Sequence, residues 1–114
     1  MSLGYKGRVY VTVTTTRGSP DQPLDVATIA GEEMLPWLRE IDGFEGLLML
    51  SEESDGTTLV LTFWSDRRVA HEHRVARERF RDGITAAVGV RVLDVADYEL
   101  TFADLGSWPP ATVT

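Results

Sequence analysis

Apolar residues alternate along the first ordered stretch of the chain. From Arg8 to Thr16, Val9, Val11 and Val13 fall on one side, and Tyr10, Thr12 and Thr14 on the other. β-Branched residues at period two predict a strand with one strongly apolar face. The turn residues of Arg17-Gly18-Ser19-Pro20-Asp21-Gln22-Pro23 then break it. From Leu24 the period lengthens: Ala27, Ala30, Met34, Leu38 and Ile41 form one stripe of an amphipathic helix. Pro36 cannot donate to the helical ladder, which predicts a kink or short break near Leu35, and Asp42-Gly43 ends the helix.

Phe44 to Glu53 reads as a second strand, Ser54-Asp55-Gly56 as a hairpin turn and Thr57 to Trp64 as a third strand. Ser65 or Asp66 is placed to cap a second helix, which runs to about Ala87 with Val69, Ala76, Phe80, Ile84 and Ala87 on one stripe. Val90 to Phe102 is a long fourth strand with a bulge or bend expected around Ala96-Asp97. Residues 1–7 are set apart as an N-terminal extension, 8–104 form the domain, and 105–114 a tail carrying Trp108. The order is the α+β, ferredoxin-like βαββαβ plan: a four-stranded antiparallel sheet with two helices on one face.

The middle strands carry apolar residues on both sides. Leu48 and Leu50 oppose Leu47 and Met49, and Leu59, Leu61 and Phe63 oppose Val60 and Trp64. Helices on one face cover only half of these, and an open antiparallel sheet normally shows polar residues on its free face. A second copy of the sheet is the simplest cover, so a homodimer closed through sheet faces, an α/β barrel, is expected.

Composition narrows the partners. The 114 residues hold 18 acidic and 11 basic side chains, a net charge of −7, which makes nucleic acid an unfavourable ligand. The basic residues from Arg67 to Arg81 are interleaved with Glu72 and Glu78 and read as a solvated helix face. The absence of cysteine removes disulfide, thiol and thiolate-metal chemistry. With no membrane span and no secretion signal in view, a cytoplasmic protein is expected.

Gly43-Phe44-Glu45-Gly46 opening the second strand, Asp55-Gly56 in the hairpin, and Phe63-Trp64-Ser65 running into a histidine-bearing helix resemble the antibiotic biosynthesis monooxygenase family. The resemblance spans roughly residues 8 to 102. It implies a dimeric α/β barrel and, among its members' activities, oxidation of aromatic polyketides without metal or flavin, so no cofactor is expected. It also implies a heme-degrading alternative that uses an Asn on the first strand, a Trp ending the third and a His on the second helix. Trp64 matches and His73 lies near the histidine position, but Arg8-Val9-Tyr10-Val11-Thr12-Val13-Thr14 holds no Asn, which counts against heme degradation.

His73 and Trp64 are the candidate catalytic pair. At 100° per residue, His73 shares the stripe of Val69, Ala76, Phe80 and Ile84, where a buried imidazole can serve as a general base; the plainer alternative is a hydrogen-bonded core histidine. Trp64 can stack on a planar substrate, activate it through a polarised indole donor, or simply close the end of the sheet. Tyr10, Trp37, Arg77, Phe80 and Tyr98 are candidate substrate-binding residues, each with an ordinary packing or solvated role as the alternative. His71-Glu72-His73 lacks the helical spacing of a zinc pair, and no metal site is expected. These residues point to a cofactor-independent monooxygenase-like enzyme acting on a small planar apolar molecule, aromatic or quinone-like. The alternatives are a non-catalytic ligand-binding or stress-associated dimer and, third, a heme binder.

Overall fold

The computed structural model describes residues 9–18, 25–52 and 54–106; at 25–30, 77, 80, 81, 84, 85, 87 and 88 it describes the backbone alone. The order is β1 (Tyr10–Arg17), α1 (Asp25–Arg39), β2 (Phe44–Ser51), β3 (Thr57–Trp64), α2 (Arg67–Glu72), α3 (Arg74–Val88) and β4 (Arg91–Glu99). The strands form one sheet in the order β2-β3-β1-β4. Every neighbouring pair is antiparallel. This is the expected ferredoxin-like α+β arrangement. The extension at residues 1–7, the tail beyond Gly106 and Trp108 within it lie outside the described residues.

The register sorts the strand residues into two faces. Tyr10, Thr12, Thr14 and Thr16 stand opposite Trp64, Thr62, Val60 and Thr58. The buried cluster on that face joins Met34 and Leu38 of α1 and Val69 and Ala70 of α2 to Val60 and Trp64 of β3. The helices therefore cover the threonine face of β1. Val11 and Val13, with Leu59, Leu61 and Phe63, belong to the other face, outside the helix-covered cluster; Val11 is buried there and the rest are half-buried. Leu50 and Tyr98 are more than half exposed there.

Three local details differ from the sequence expectation. α1 runs from Asp25 to Arg39 through Pro36 without the break near Leu35, the proline lying exposed in its last turns. The second helix is two: α2 ends at Glu72, His73 is its C-cap with φ −103° and ψ 10°, and α3 starts at Arg74. The single stripe through Val69 and Ala76 is broken there, with Val69 buried and Ala76 exposed. The irregularity in β4 falls between the partners of Thr15 and Thr16, at Leu93, rather than at Ala96-Asp97. Asp66, not Ser65, caps α2 by accepting from the Val69 amide at 2.9 Å.

Gly43 brings the two halves of the covered face together. Its φ of +99° turns the chain from α1 into β2, and its carbonyl accepts from the Ser65 amide at 2.8 Å. The start of β2 is thereby tied to the start of α2, and Phe44 is set against Trp64.

Candidate functional site

On the covered face, cross-strand pairing produces rows. The first row runs Phe44, Trp64, Tyr10, Glu99 across β2, β3, β1 and β4. The second runs Leu47, Thr62, Thr12, Asp97. An aromatic row thus borders one that passes from apolar at the β2 edge to a carboxylate at the β4 edge. Residues directly opposite one another on a sheet face touch, so each row is a contact surface.

Trp64 joins the two rows. Its side chain is 0% exposed, and its ring meets that of Phe44 edge to face at 5.9 Å between centroids. Its indole Nε1–H donates to Thr12 Oγ1 at 3.1 Å, and the Thr12 hydroxyl donates to Asp97 Oδ1 at 2.7 Å. The other Asp97 oxygen, Oδ2, lies 4.0 Å from an Arg74 guanidinium nitrogen, while Arg74 Nε donates to Glu78 at 3.3 Å. A polar chain therefore runs from a fully buried indole to the first residue of α3. The Thr12–Asp97 distance is that of a well-formed O–H···O hydrogen bond.

The expected residues are placed as follows. Trp64 and Tyr10 are cross-strand neighbours in the aromatic row. Trp37 is half-buried on α1 and packs against the same cluster as Tyr10 and Phe44. His73 is half-buried at the joint between α2 and α3, adjacent in sequence to the Arg74 that reaches Asp97. It sits at a helix end rather than within one continuous helical stripe. Tyr98 stands opposite Val11 on the uncovered face, so the sheet separates it from Trp64. The side chains of Arg77 and Phe80 lie outside the described residues.

Thr12 and Asp97 are functional candidates that the sequence reading passed over. Their signal was a carboxylate amid Val95, Ala96 and Tyr98 in a strand, together with threonines at period two on β1. A separate open groove of about 440 Å³ lies at the C-terminal end of α1, lined by Leu35, Arg39, Phe44, Glu45, Gly46 and Leu47. The register shift between Phe44 and Gly46 sets Glu45 out of the ladder there. Phe44 is the residue common to the groove and the Trp64 contact. Among the described residues no three His, Asp or Glu side chains converge as a metal site requires, and no helix is long and apolar enough to cross a membrane.

Comparison with solved structures gives the geometry its context. A monooxygenase from the gene ActVA-Orf6 of Streptomyces coelicolor, solved with the ligand nanaomycin D, superposes with a TM-score of 0.62 at 16% identity, covering 89% of this chain and 94% of that one. SnoaB, a cofactor-independent oxygenase from Streptomyces nogalater, superposes with a TM-score of 0.59 at 14% identity, over 87% and 97%. This chain has the fold of the antibiotic biosynthesis monooxygenases. A Deinococcus radiodurans protein assigned to those monooxygenases matches with a TM-score of 0.60 at 18% identity, over 83% and 95%. No family model and no curated protein sequence matches the chain. The monooxygenase-type fold is thus shared along nearly the whole described domain, while identity is too low to carry residue roles across.

Proposed function

We propose that this chain is a homodimeric, cofactor-independent monooxygenase-type enzyme acting on a small planar apolar molecule, aromatic or quinone-like. The observation that carries the reading is the buried Trp64, set in an aromatic row beside a row of hydroxyls and a carboxylate, on the helix-covered face of this fold. Phe44 carries the edge of that row into the open groove beside α1, where a flat molecule can stack on its ring. Trp64 backs that surface from within the core, and Phe44, Tyr10, Trp37, Arg77 and Phe80 bound the substrate.

His73 acts as the base in this reading. It takes a proton from the bound substrate, and the electron-rich anion then reduces molecular oxygen directly. The half-buried helix joint keeps the imidazole near solvent for proton return while its neighbour Arg74 reaches the polar row. The solved relatives support the reading: one is described as a cofactor-independent oxygenase, another as a monooxygenase with a bound small molecule.

The dimer belongs to the same proposal. Val13, Leu48, Leu59, Leu61 and Phe63 share a face that no described helix covers, and a second sheet of the same kind fits it. The deciding experiment is oxygen uptake by the purified protein with a panel of reduced naphthoquinones and anthrones. Turnover is expected, with His73→Ala lowering kcat by about a hundredfold or more and Trp64→Phe raising KM. No uptake with any member of the panel, or full activity in both variants, overturns the assignment.

A further inference from the structure

We infer that Thr12 and Asp97 are positioning residues for Trp64, and that an ionised Asp97 fixes which way the indole faces. This rests on the monooxygenase reading for its catalytic meaning, but its structural claim stands by itself.

The argument is one of proton counting. An ionised carboxylate only accepts hydrogen bonds, so the Thr12 hydroxyl must donate its single proton to Asp97 Oδ1, at 2.7 Å. The Thr12 oxygen then turns a lone pair toward Trp64, whose indole N–H is a donor only and lies 3.1 Å away. The direction of the chain is set at the carboxylate end, and only one ordering of protons satisfies every member. Trp64 and Thr12 are 0% and 1% exposed, so water cannot take the place of either partner. Asp97 is 16% exposed and Arg74 43%, so solvent reaches the chain only at its charged end.

Two consequences follow for the site. The indole N–H is engaged with Thr12 and the ring is 0% exposed, so Trp64 acts on a substrate only through the Phe44 ring it braces. The ring plane is held from both sides, by Phe44 edge to face and by Thr12 through the N–H. A substrate in the groove therefore meets a Phe44 ring whose backing is fixed from β1 and β4, two and three strands away from β2.

The test follows the indole signals of the full-length protein labelled with 15N-tryptophan. Three N–H resonances are expected, from Trp37, Trp64 and Trp108, and Trp64→Phe assigns the one of interest. In the native protein the Trp64 signal should exchange slowly with water. Asp97→Asn and Thr12→Val should each move the signal and speed its exchange, and Thr12→Ser should restore it. A Trp64 signal unchanged by both Asp97→Asn and Thr12→Val overturns the proposal, whether or not the protein turns over a substrate. With a reduced naphthoquinone that proves to be a substrate, Thr12→Val should lower kcat by about tenfold or more while Thr12→Ser recovers most of it. Intact NMR coupling without oxygen uptake by any probe would overturn the catalytic role and leave the positioning role standing.

Discussion

Gly43 and Gly31 offer a pair of substitutions in which the shorter contact should do the lesser damage. An alanine methyl at Gly43 would lie 2.8 Å from Val69 Cγ2 and 2.9 Å from both Val69 Cγ1 and Ser65 Oγ. At Gly31 it would lie 2.7 Å from the sulfur of Met49. Distance alone ranks Gly31 as worse, but the neighbours differ in what they can do. Val69 is a buried, β-branched core residue with both methyls in the way, and no χ1 rotamer removes both. Gly43 also has φ of +99°, where any L side chain is strained. The strain costs roughly 1–2 kcal/mol, and overpacking a further ~1–3 kcal/mol. Gly43→Ala is therefore expected to destabilise by about 2–5 kcal/mol.

At Gly31 the obstacle is the flexible end of a methionine, which moves aside for about 0.5–1.5 kcal/mol. Alanine within α1 recovers roughly 1 kcal/mol of helix propensity. Gly31→Ala is thus expected to fall within about 1 kcal/mol of the native protein. Urea denaturation at matched protein concentration, with the slope checked for constancy, measures both. A Gly43→Ala protein as stable as the native one, or a Gly31→Ala protein less stable than Gly43→Ala, would refute the reasoning. Because Gly43 sets Phe44 against Trp64, a folded Gly43→Ala protein should also show altered tryptophan emission.

Other expectations rest on single interactions. Asp66→Ala removes the acceptor of the Val69 amide and should cost about 1 kcal/mol, while Asp66→Asn keeps most of it, as thermal melts will show. The β2–β3 hairpin should loosen in acid. Ser54, chiefly through its hydroxyl and then its amide, holds the Glu52 carboxyl below the usual range, and the Thr57 amide does the same for Asp55. Lowered pKa values stabilise above the ordinary carboxylate range and lose that effect as pH falls through the lowered values. The Ser54 and Thr57 amide resonances should shift in that acid window, and Glu52→Gln should flatten the Ser54 curve; signals that stay fixed until global unfolding would contradict this. Arg68→Ala should leave stability almost unchanged, since its pair with Glu72 is exposed.

Strand and helix identity was legible in the residues because period two and period 3.6 are strong in this chain. The hairpin at Ser54-Asp55-Gly56 and the two-faced character of β2 and β3 were equally plain. Three things were not. The break at His73 carries no Gly or Pro, so Ala70-His71-Glu72-His73-Arg74-Val75 reads as unbroken helix, and the phase that placed His73 was carried across a joint. Asp97 looked like a defect in a strand because its partner, Thr12, lies 85 residues away in sequence. And nothing in the alternation of β1 says which face the helices take, since threonine and valine both favour strands and both tolerate burial.

That last ambiguity decides how folding and association are linked. With the valines turned to the open face, the helices rest on a face whose β1 residues are all polar or amphipathic, each requiring a hydrogen-bond partner when buried. The most continuous apolar surface, from Leu48 through Leu61 to Val13, is left only half-buried by the folded chain. A helix-covered core with threonines in it contributes less hydrophobic free energy than a valine-lined one would, at ~25 cal/mol for each Å² of apolar surface withheld from water. The proposed sheet-to-sheet pairing must then supply a large share of the stability. The melting temperature should accordingly rise with protein concentration, as it does whenever the folded state is stabilised by association. Leu61→Asp, placed at the centre of the open face, should produce a monomer by light scattering whose melting temperature is lower and independent of concentration. A native protein that is monomeric at all concentrations, or a Leu61→Asp variant that still dimerises, would show that the open face is not what pairs.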